Sequence, residues 1–130
     1  MQEDKPYHLY HYAVIRLVPK VEREEFFNVG LILFSKEEKF IRLEYHLCPD
    51  KFRLMQSEAT YEEVLQNLET LRHIAEGEPQ CGPIATLPIP ERFRWLTATR
   101  SSIIQTSPTH PGKCSDLVKT FNRLFVEMVK

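Results

Sequence analysis

The strongest constraint on the fold comes from two segments that are apolar on both of their alternating faces. Residues 7–18, YHLYHYAVIRLV, place aromatic and aliphatic side chains in both sets of alternating positions, and residues 27–34 repeat the pattern. A strand that carries apolar groups on both faces is typical of the covered centre of a sheet. Pro19 ends the first segment because it has no N–H to donate to a neighbouring strand. We therefore expect a central strand at residues 7–18, covered on both faces, and a second strand of the same kind after it.

The rest of the chain predicts two further strands and two main helices. Residues 40–47 alternate between apolar and polar side chains, which is typical of a half-exposed antiparallel strand. Thr60 and Glu63 form the capping box of a helix that Gly77 ends, and Ser115 is expected to cap the last helix. Residues 102–106 predict a fourth strand, and residues 107–112 predict a turn.

These elements predict the α+β class, with a mostly antiparallel sheet of about four strands and two main helices packed on one of its faces. Residues 1–6 are expected to be a disordered lead. Residues 7–130 are expected to form a single α+β domain, because the length is that of about one ordinary domain.

The composition excludes several classes of protein. The net charge is −1, so the totals give no long-range attraction to nucleic acid. No run of about eighteen apolar residues is present, so no membrane span is expected, and the polar N-terminus lacks a signal pattern. Cys48, Cys81 and Cys114 include no CxxC pair, which argues against a structural zinc site and a disulfide framework. We expect a cytoplasmic chain with reduced thiols, no metal and no cofactor.

The charged run at residues 22–25, EREE, leads into the second strand and offers a first candidate site. Carboxylates beside an arginine could act as acid and base. Consecutive residues of an extended chain point alternately apart, however, which favours a solvated loop with weak ion pairs. Asn28 and Gly30 then interrupt the apolar strand, and glycine there indicates a bulge or a close backbone approach. Two interpretations stay open: a packing role for both residues, or a bulge that aims Asn28 or Arg23 at a ligand.

Residues 91–114, ERFRWLTATRSSIIQTSPTHPGKC, form a second candidate region with the only tryptophan of the chain. Arg94 beside Trp95, followed by Arg100 and Ser102, is typical of a cradle for phosphate or carboxylate. Basic and aromatic side chains in alternation also suit single-stranded nucleic acid. The alternative is that Trp95 belongs to the core and that the arginines are solvated. The candidate anion- or partner-binding residues are Arg23, Asn28, Arg94, Trp95, Arg100, Ser102 and His110.

Catalysis is not predicted. His110 and Cys114 would need a third group to orient them as a nucleophilic pair, and a cysteine before a helix is more often a packing residue. The chain contains no Walker loop, no GxGxxG, no HExxH and no GxSxG motif. No catalytic residue is therefore assigned.

Two long segments resemble a bacterial family of unknown function: YAVIRLVPKVEREEFFNVGLILF near the start and ERFRWLTATRSSIIQTSPTHPG near the end. The resemblance covers residues 7–129 and departs from the family pattern at Lys113, where a leucine is expected. It implies a small stand-alone protein, often encoded beside a kinase resembling the HipA type of toxin–antitoxin systems. It brings no catalytic residues with it.

The small size, the lack of a catalytic motif and the resemblance predict a non-enzymatic interaction or regulatory module. A HipA-like kinase is the expected partner, and residues 91–112 are the expected interface. The alternative is a small phosphate- or nucleic-acid-binding protein, or an enzyme, with an Arg/Ser/His cleft; nucleic acid is the less favoured ligand. That alternative requires the Arg23–Asn28 and Arg94–His110 segments to converge on one cleft, with Arg23 or Glu25 close to Arg94 or Arg100. No membrane contact is expected, and the sequence does not fix the oligomeric state.

Overall fold

The computed structural model describes residues 7–20, 25–98 and 103–130. Within these residues the chain forms five strands: β1 His8–Leu17, β2 Phe27–Ser35, β3 Phe40–Tyr45, β4 Ile104–Thr106 and β5 His110–Cys114. The same residues form four α-helices: α1 Pro49–Met55, α2 Tyr61–Glu76, α3 Ile89–Leu96 and α4 Leu117–Met128. Two short 3₁₀ helices, Pro79–Cys81 and Pro83–Thr86, link α2 to α3. The predicted lead at residues 1–6 lies outside the described residues.

Strand β1 is the centre of the sheet, and its pairings are all antiparallel. One edge of β1 pairs with β2, from His11↔Phe34 to Leu17↔Phe27, and β3 continues the sheet beyond β2. The other edge is shared, since β4 pairs with residues 15–17 of β1 and β5 pairs with residues 8–12. The sheet order is β3-β2-β1-β4, with β5 also on β1. The predicted α+β class and antiparallel sheet are confirmed.

The sheet is covered on both faces, so the prediction that the helices pack on one face is wrong in that respect. Side chains at one set of alternating positions, including Ile15 and Ile32, join α1, α2 and α3 in one core. The opposite set, including Val14 and Leu33, joins Phe121 of α4 in a second core. The physical reason is already in the strands: β1 and β2 are apolar on both faces, and each face must be removed from water.

Residues 110–114 form the edge strand β5, although the sequence predicts a turn through residues 107–112. Pro111 is tolerated there because an edge strand can leave one side of its backbone unpaired. Gly112 lies opposite Tyr10, and a Cβ atom on Gly112 would come within 2.4 Å of the Tyr10 ring. The ring of His110 lies 5.2 Å from that of Tyr12. Cross-strand aromatic contacts therefore stabilise a segment whose own strand propensity is low.

Ser107 joins the two short strands that share the edge of β1. Its backbone N–H donates to the Val14 carbonyl at 2.8 Å. Its hydroxyl oxygen accepts a hydrogen bond from the Val14 N–H, also at 2.8 Å. Both residues are buried. A buried backbone N–H without a partner is costly, so this side chain completes the hydrogen bonding of β1 between β4 and β5.

A β-bulge interrupts β2 at the position where Asn28 and Gly30 break its apolar pattern. Ile15 pairs with Gly30, but Arg16 pairs with Asn28, which leaves Val29 as the extra residue. A Cβ atom on Gly30 would lie 3.0 Å from the Glu44 carbonyl oxygen and 3.1 Å from Ile15 Cδ1. Glycine is therefore needed for close packing against β1 and β3. The bulge and the close backbone approach, which the glycine indicated as alternatives, both occur here.

Local sequence explains where the helices begin and end. The Thr60 hydroxyl accepts from the Glu63 N–H at 3.1 Å, and the Glu63 carboxylate accepts from the Thr60 N–H at 2.9 Å, which confirms the capping box. Gly77, with φ of 80°, ends α2 as predicted. The last helix is capped one residue later than predicted, because Asp116 supplies the acceptor for the Lys119 N–H. Within the described ranges, no helix combines the length and the apolarity that a membrane span requires.

Replacing Ser107 by alanine tests how much the stability of the sheet depends on the hydrogen bond from the Val14 N–H to the Ser107 hydroxyl. The substitution removes the acceptor of the buried Val14 N–H, so we expect the free energy of unfolding to fall by about 1–3 kcal/mol. Urea unfolding followed by circular dichroism measures the change. Thr86→Ala is the control, because the exposed Thr86 hydroxyl donates to the Pro83 carbonyl and accepts from no buried N–H among the described residues, so its cost should stay within about 0.5 kcal/mol. Equal stability of Ser107→Ala and the unchanged chain would contradict the assigned role.

Candidate functional site

A pocket of about 350 Å³ lies where β2 begins and α4 ends, with α1 along its third side. We call it the β2–α4 pocket. Its polar lining side chains are Asn28, His46, Cys48 and Lys51. The apolar part of its lining includes Phe26, Phe27, Leu47, Met55, Met128 and Val129. A mainly apolar concavity with a few polar groups is the usual form of a site that binds another molecule.

Asn28 shapes this pocket by holding the end of α4. Its Nδ2 donates to the Met128 carbonyl oxygen at 3.0 Å, and Met128 is the last residue of the helix. Carbonyls at a helix C-terminus lack partners within the helix, so the side-chain amide satisfies one of them. Because the bulge pairs Asn28 with Arg16, the amide faces the same side of the sheet as α4. Asn28 is thus a packing residue that also lines the pocket.

The electrostatic character of the pocket is cationic. Lys51 lines it, and the guanidinium carbon of Arg16 lies 4.1 Å from the centre of the Phe26 ring. Among the described residues that line the pocket, none is an aspartate or a glutamate. An arginine over an aromatic ring is a favourable cation–π pair and keeps the ring in place. The pocket therefore suits a ligand that is apolar and carries a negative charge at its edge.

The residues that the sequence singled out are distributed over different parts of the molecule. Asn28 lies in the β2–α4 pocket, and His110 lies on the edge strand β5 beside Tyr12. Arg94 is on the surface of α3, and its guanidinium donates to Glu91 at 3.1 Å. Trp95 packs at the margin of the core that contains α2 and α3. Arg23, Arg100 and Ser102 lie outside the described residues, as do Glu22 and Glu24.

Asn28 and Trp95 are on opposite faces of the sheet, so these two residues do not share a cleft. The Asn28 amide bonds α4, which packs on one face, and Trp95 joins the core on the other face. Nor can His110 and Cys114 act as a pair. They lie four positions apart on β5, which separates them by roughly 13 Å.

A polar network that the sequence did not reveal connects β3 to α2. The Tyr45 hydroxyl donates to the Glu69 carboxylate at 2.5 Å, and Arg72 donates to the same carboxylate at 3.0 Å. His73 Nε2 lies 3.2 Å from Glu69 Oε1. Glu69, Arg72 and His73 show the i,i+3 and i,i+4 spacing of a helix face, which is a signal visible in the sequence. The sequence did not predict that Tyr45 belongs to this network, because its contact with Glu69 depends on how α2 packs against β3.

The network changes the proton affinity of its members. Burial, followed by the hydrogen bond to Glu69, raises the pKa of Tyr45 to about 12. The hydrogen bonds from Tyr45 and then from Arg72 hold the pKa of the Glu69 carboxyl below its ordinary value. Shifted pKa values in a cluster of hydrogen-bonded groups mark a functional site or a structural ion-pair network. Here a single carboxylate fixes three neighbouring side chains.

Replacing Tyr45 by phenylalanine tests the contribution of its hydrogen bond. We expect the free energy of unfolding to fall by about 1 kcal/mol at neutral pH. The pKa of Tyr45 is raised from 10.0 to about 12 in the folded chain. The contribution of the neutral phenol is therefore complete below the unfolded value and is lost as the pH rises through the folded value. Urea unfolding measured at neutral pH and across that alkaline window should show the gap between the two proteins narrowing.

Tyr61→Phe serves as a control for this measurement. The Tyr61 hydroxyl donates to the neutral Leu47 carbonyl at 3.2 Å, and bonds to charged groups contribute more than bonds to neutral ones. The loss of stability in Tyr61→Phe should therefore be smaller than the loss in Tyr45→Phe. A Tyr45→Phe protein as stable as the unchanged chain at neutral pH would exclude the network as a stabilising element.

Comparison with known proteins identifies a family. A family model described as a protein of unknown function, DUF3037, matches residues 12–129, from within β1 to the end of α4. No curated protein and no solved structure matches the chain. The match confirms the resemblance that the sequence showed to a family of unknown function. The matched residues include both the β2–α4 pocket and the Tyr45–Glu69 network, and the chain belongs to the DUF3037 family of proteins of unknown function.

Proposed function

We propose that this protein is a non-enzymatic interaction module whose β2–α4 pocket receives a segment of a partner protein. The observation that carries this proposal is the exposure of two adjacent aromatic side chains at the rim of the pocket. Phe26 is 48% exposed and Phe27 is 43% exposed. Large aromatic side chains at a concave surface are the usual anchors of a protein interface. Met55 and Met128 add flexible side chains that adapt to a partner's shape.

The surface that would meet a partner extends beyond the pocket. His46 lines the β2–α4 pocket and also a neighbouring groove with Phe125 and Val126. Val126 is 60% exposed. Exposed apolar side chains that adjoin one another mark an interaction site more reliably than isolated ones. This continuity supports an interface larger than one pocket.

Charge defines the chemistry of the partner segment. Lys51 lines the pocket, and Arg16 lies over Phe26. A segment with an apolar or aromatic side chain flanked by a carboxylate would bury the apolar group against Phe27 and place the carboxylate near Lys51. Complementary charge of this kind increases specificity and the rate of association.

A HipA-like kinase is the partner that we propose to test first, and the regulation of such a kinase is the proposed role. The resemblance to a family often encoded beside such kinases supports this choice, as does the cytoplasmic location expected from three free cysteines. The alternative, a phosphate-binding cleft built on Arg94, has less support, because Arg94 is paired with Glu91 at the surface. We therefore propose the β2–α4 pocket as the interface, in place of the interface expected at residues 91–112.

Truncation of an anchor tests the proposal. We expect Phe27→Ala to weaken binding of the kinase by about 30-fold, because an aromatic anchor contributes about 2 kcal/mol or more. Isothermal titration calorimetry with a purified HipA-like kinase measures the affinity, and kinase activity is assayed in parallel. Tyr7→Ala is the matched control. Tyr7 is also an exposed aromatic residue, but it precedes β1 at the end opposite Leu17, the residue that pairs with Phe27.

Each outcome decides the proposal. Weaker binding by Phe27→Ala, with Tyr7→Ala unchanged, supports the β2–α4 pocket as the interface. No binding by the unchanged protein at micromolar concentration, with kinase activity unaffected, rejects this partner. Equal effects of the two substitutions reject the pocket. Self-association that Phe27→Ala abolishes would show that the pocket serves contacts between copies of this chain instead.

A further inference from the structure

We propose that His73, Glu78 and Cys81 form a site for a divalent transition-metal ion of the Zn²⁺ type. The site lies after α2, away from the β2–α4 pocket, and does not depend on the proposed function. One ligand atom from each residue, an imidazole nitrogen, a carboxylate oxygen and the thiol sulfur, lies within 4.8 Å of the other two. His73 Nδ1 and Glu78 Oε1 are 3.9 Å apart. Ligands around tetrahedral zinc are separated by roughly 3.5 Å, so a small closing movement would complete the geometry.

The backbone holds these three residues in place. His73 is in the last turn of α2, and Gly77 ends the helix with φ of 80°. The Glu78 N–H donates to the His73 carbonyl at 3.2 Å, and the Cys81 N–H donates to the Glu78 carbonyl at 3.0 Å. Arg92 donates to the Ala75 carbonyl at 3.0 Å and so fixes the same helix end from outside. The ligand spacing is therefore set by a hydrogen-bonded turn.

Glu69 contacts the His73 imidazole on the side opposite the proposed metal ligands. Its Oε1 lies 3.2 Å from His73 Nε2, on the side of the imidazole ring away from Glu78. In the neutral imidazole, a carboxylate beside Nε2 favours the hydrogen on that nitrogen and leaves the lone pair on Nδ1, the nitrogen that lies 3.9 Å from Glu78. Metal-binding histidines commonly have a carboxylate beside their second ring nitrogen. Tyr45 and Arg72 in turn hold the Glu69 carboxylate. Residues of both β3 and α2 therefore fix the carboxylate that lies beside the imidazole.

The donor set determines the class of ion. A thiolate, an imidazole and a carboxylate suit Zn²⁺ and related transition metals, whereas Mg²⁺ and Ca²⁺ require oxygen ligands. Gln80 Nε2 donates to Glu78 Oε1 at 2.9 Å and would orient this carboxylate. Three protein ligands leave a fourth position for water or for a group from another molecule. The three residues are only partly buried, so an ion can reach them from solvent.

Titration of the whole protein with Co²⁺ and Zn²⁺ tests the site. We expect one Co²⁺ to bind, with the near-ultraviolet charge-transfer band of a cobalt–thiolate bond, and Zn²⁺ to displace it. Cys81→Ser should abolish that band, whereas Cys48→Ser and Cys114→Ser, which remove the other two free thiols, should retain it. Glu69→Gln should weaken Zn²⁺ binding by about 10- to 100-fold, as removal of a partner behind a metal-binding histidine does.

Folding is checked in each variant by circular dichroism, and Glu78→Gln provides a second ligand test that retains the hydrogen-bonding shape of the side chain. Weaker binding in Glu78→Gln, Cys81→Ser and Glu69→Gln, with unchanged binding in the other two cysteine variants, supports the site. Absence of stoichiometric metal binding, or a band that survives Cys81→Ser, overturns it. In that case the contacts of His73 with Glu69 and Glu78 only hold the C-terminal end of α2.

Discussion

The two-faced apolar surface of β1 is the constraint on which the rest of the structure depends. One face carries Ala13, Ile15 and Leu17, and the other carries Tyr10 and Val14. Burying both faces requires a layer of helices on each side, because apolar surface left in water is costly. The edges of β1 are also occupied, by β2 on one side and by β4 and β5 on the other. Ser107 satisfies the Val14 backbone at the point where the second edge changes partner.

The bulge in β2 connects this central constraint to the β2–α4 pocket. Gly30 allows close packing against Ile15 and Glu44, and the register shift that follows turns Asn28 toward α4. The amide of Asn28 then fixes the end of α4. As a result, Phe26 and Phe27 lie at the rim of the β2–α4 pocket. A local irregularity in a buried strand thus produces the exposed surface that we propose as an interface.

The core that contains α1, α2 and α3 positions the Tyr45–Glu69 network and the proposed metal site. α2 lies against β3, so Tyr45 of the strand reaches Glu69 of the helix. Glu69 orients Arg72 and His73, and the turn after α2 brings Glu78 and Cys81 to the imidazole. The sequence predicted no metal site because it contains no CxxC pair. Its histidine, glutamate and cysteine become neighbours only through the left-handed turn at Gly77.

The sequence by itself determined the elements whose signals are local. Apolar side chains on both faces predicted β1 and β2, and the alternation of apolar and polar side chains predicted β3. The Thr60–Glu63 capping box predicted the start of α2, and Gly30 indicated a bulge or a close backbone approach. Tertiary structure decided the placement of α4 on the second face, the pairing of β5 and the positions of the candidate site residues. The sequence could not predict that Asn28 bonds the Met128 carbonyl, one hundred positions away. Nor could it predict that Asn28 and Trp95 lie on opposite faces of the sheet. Such contacts depend on strand order and helix packing, which periodicity along the chain does not encode.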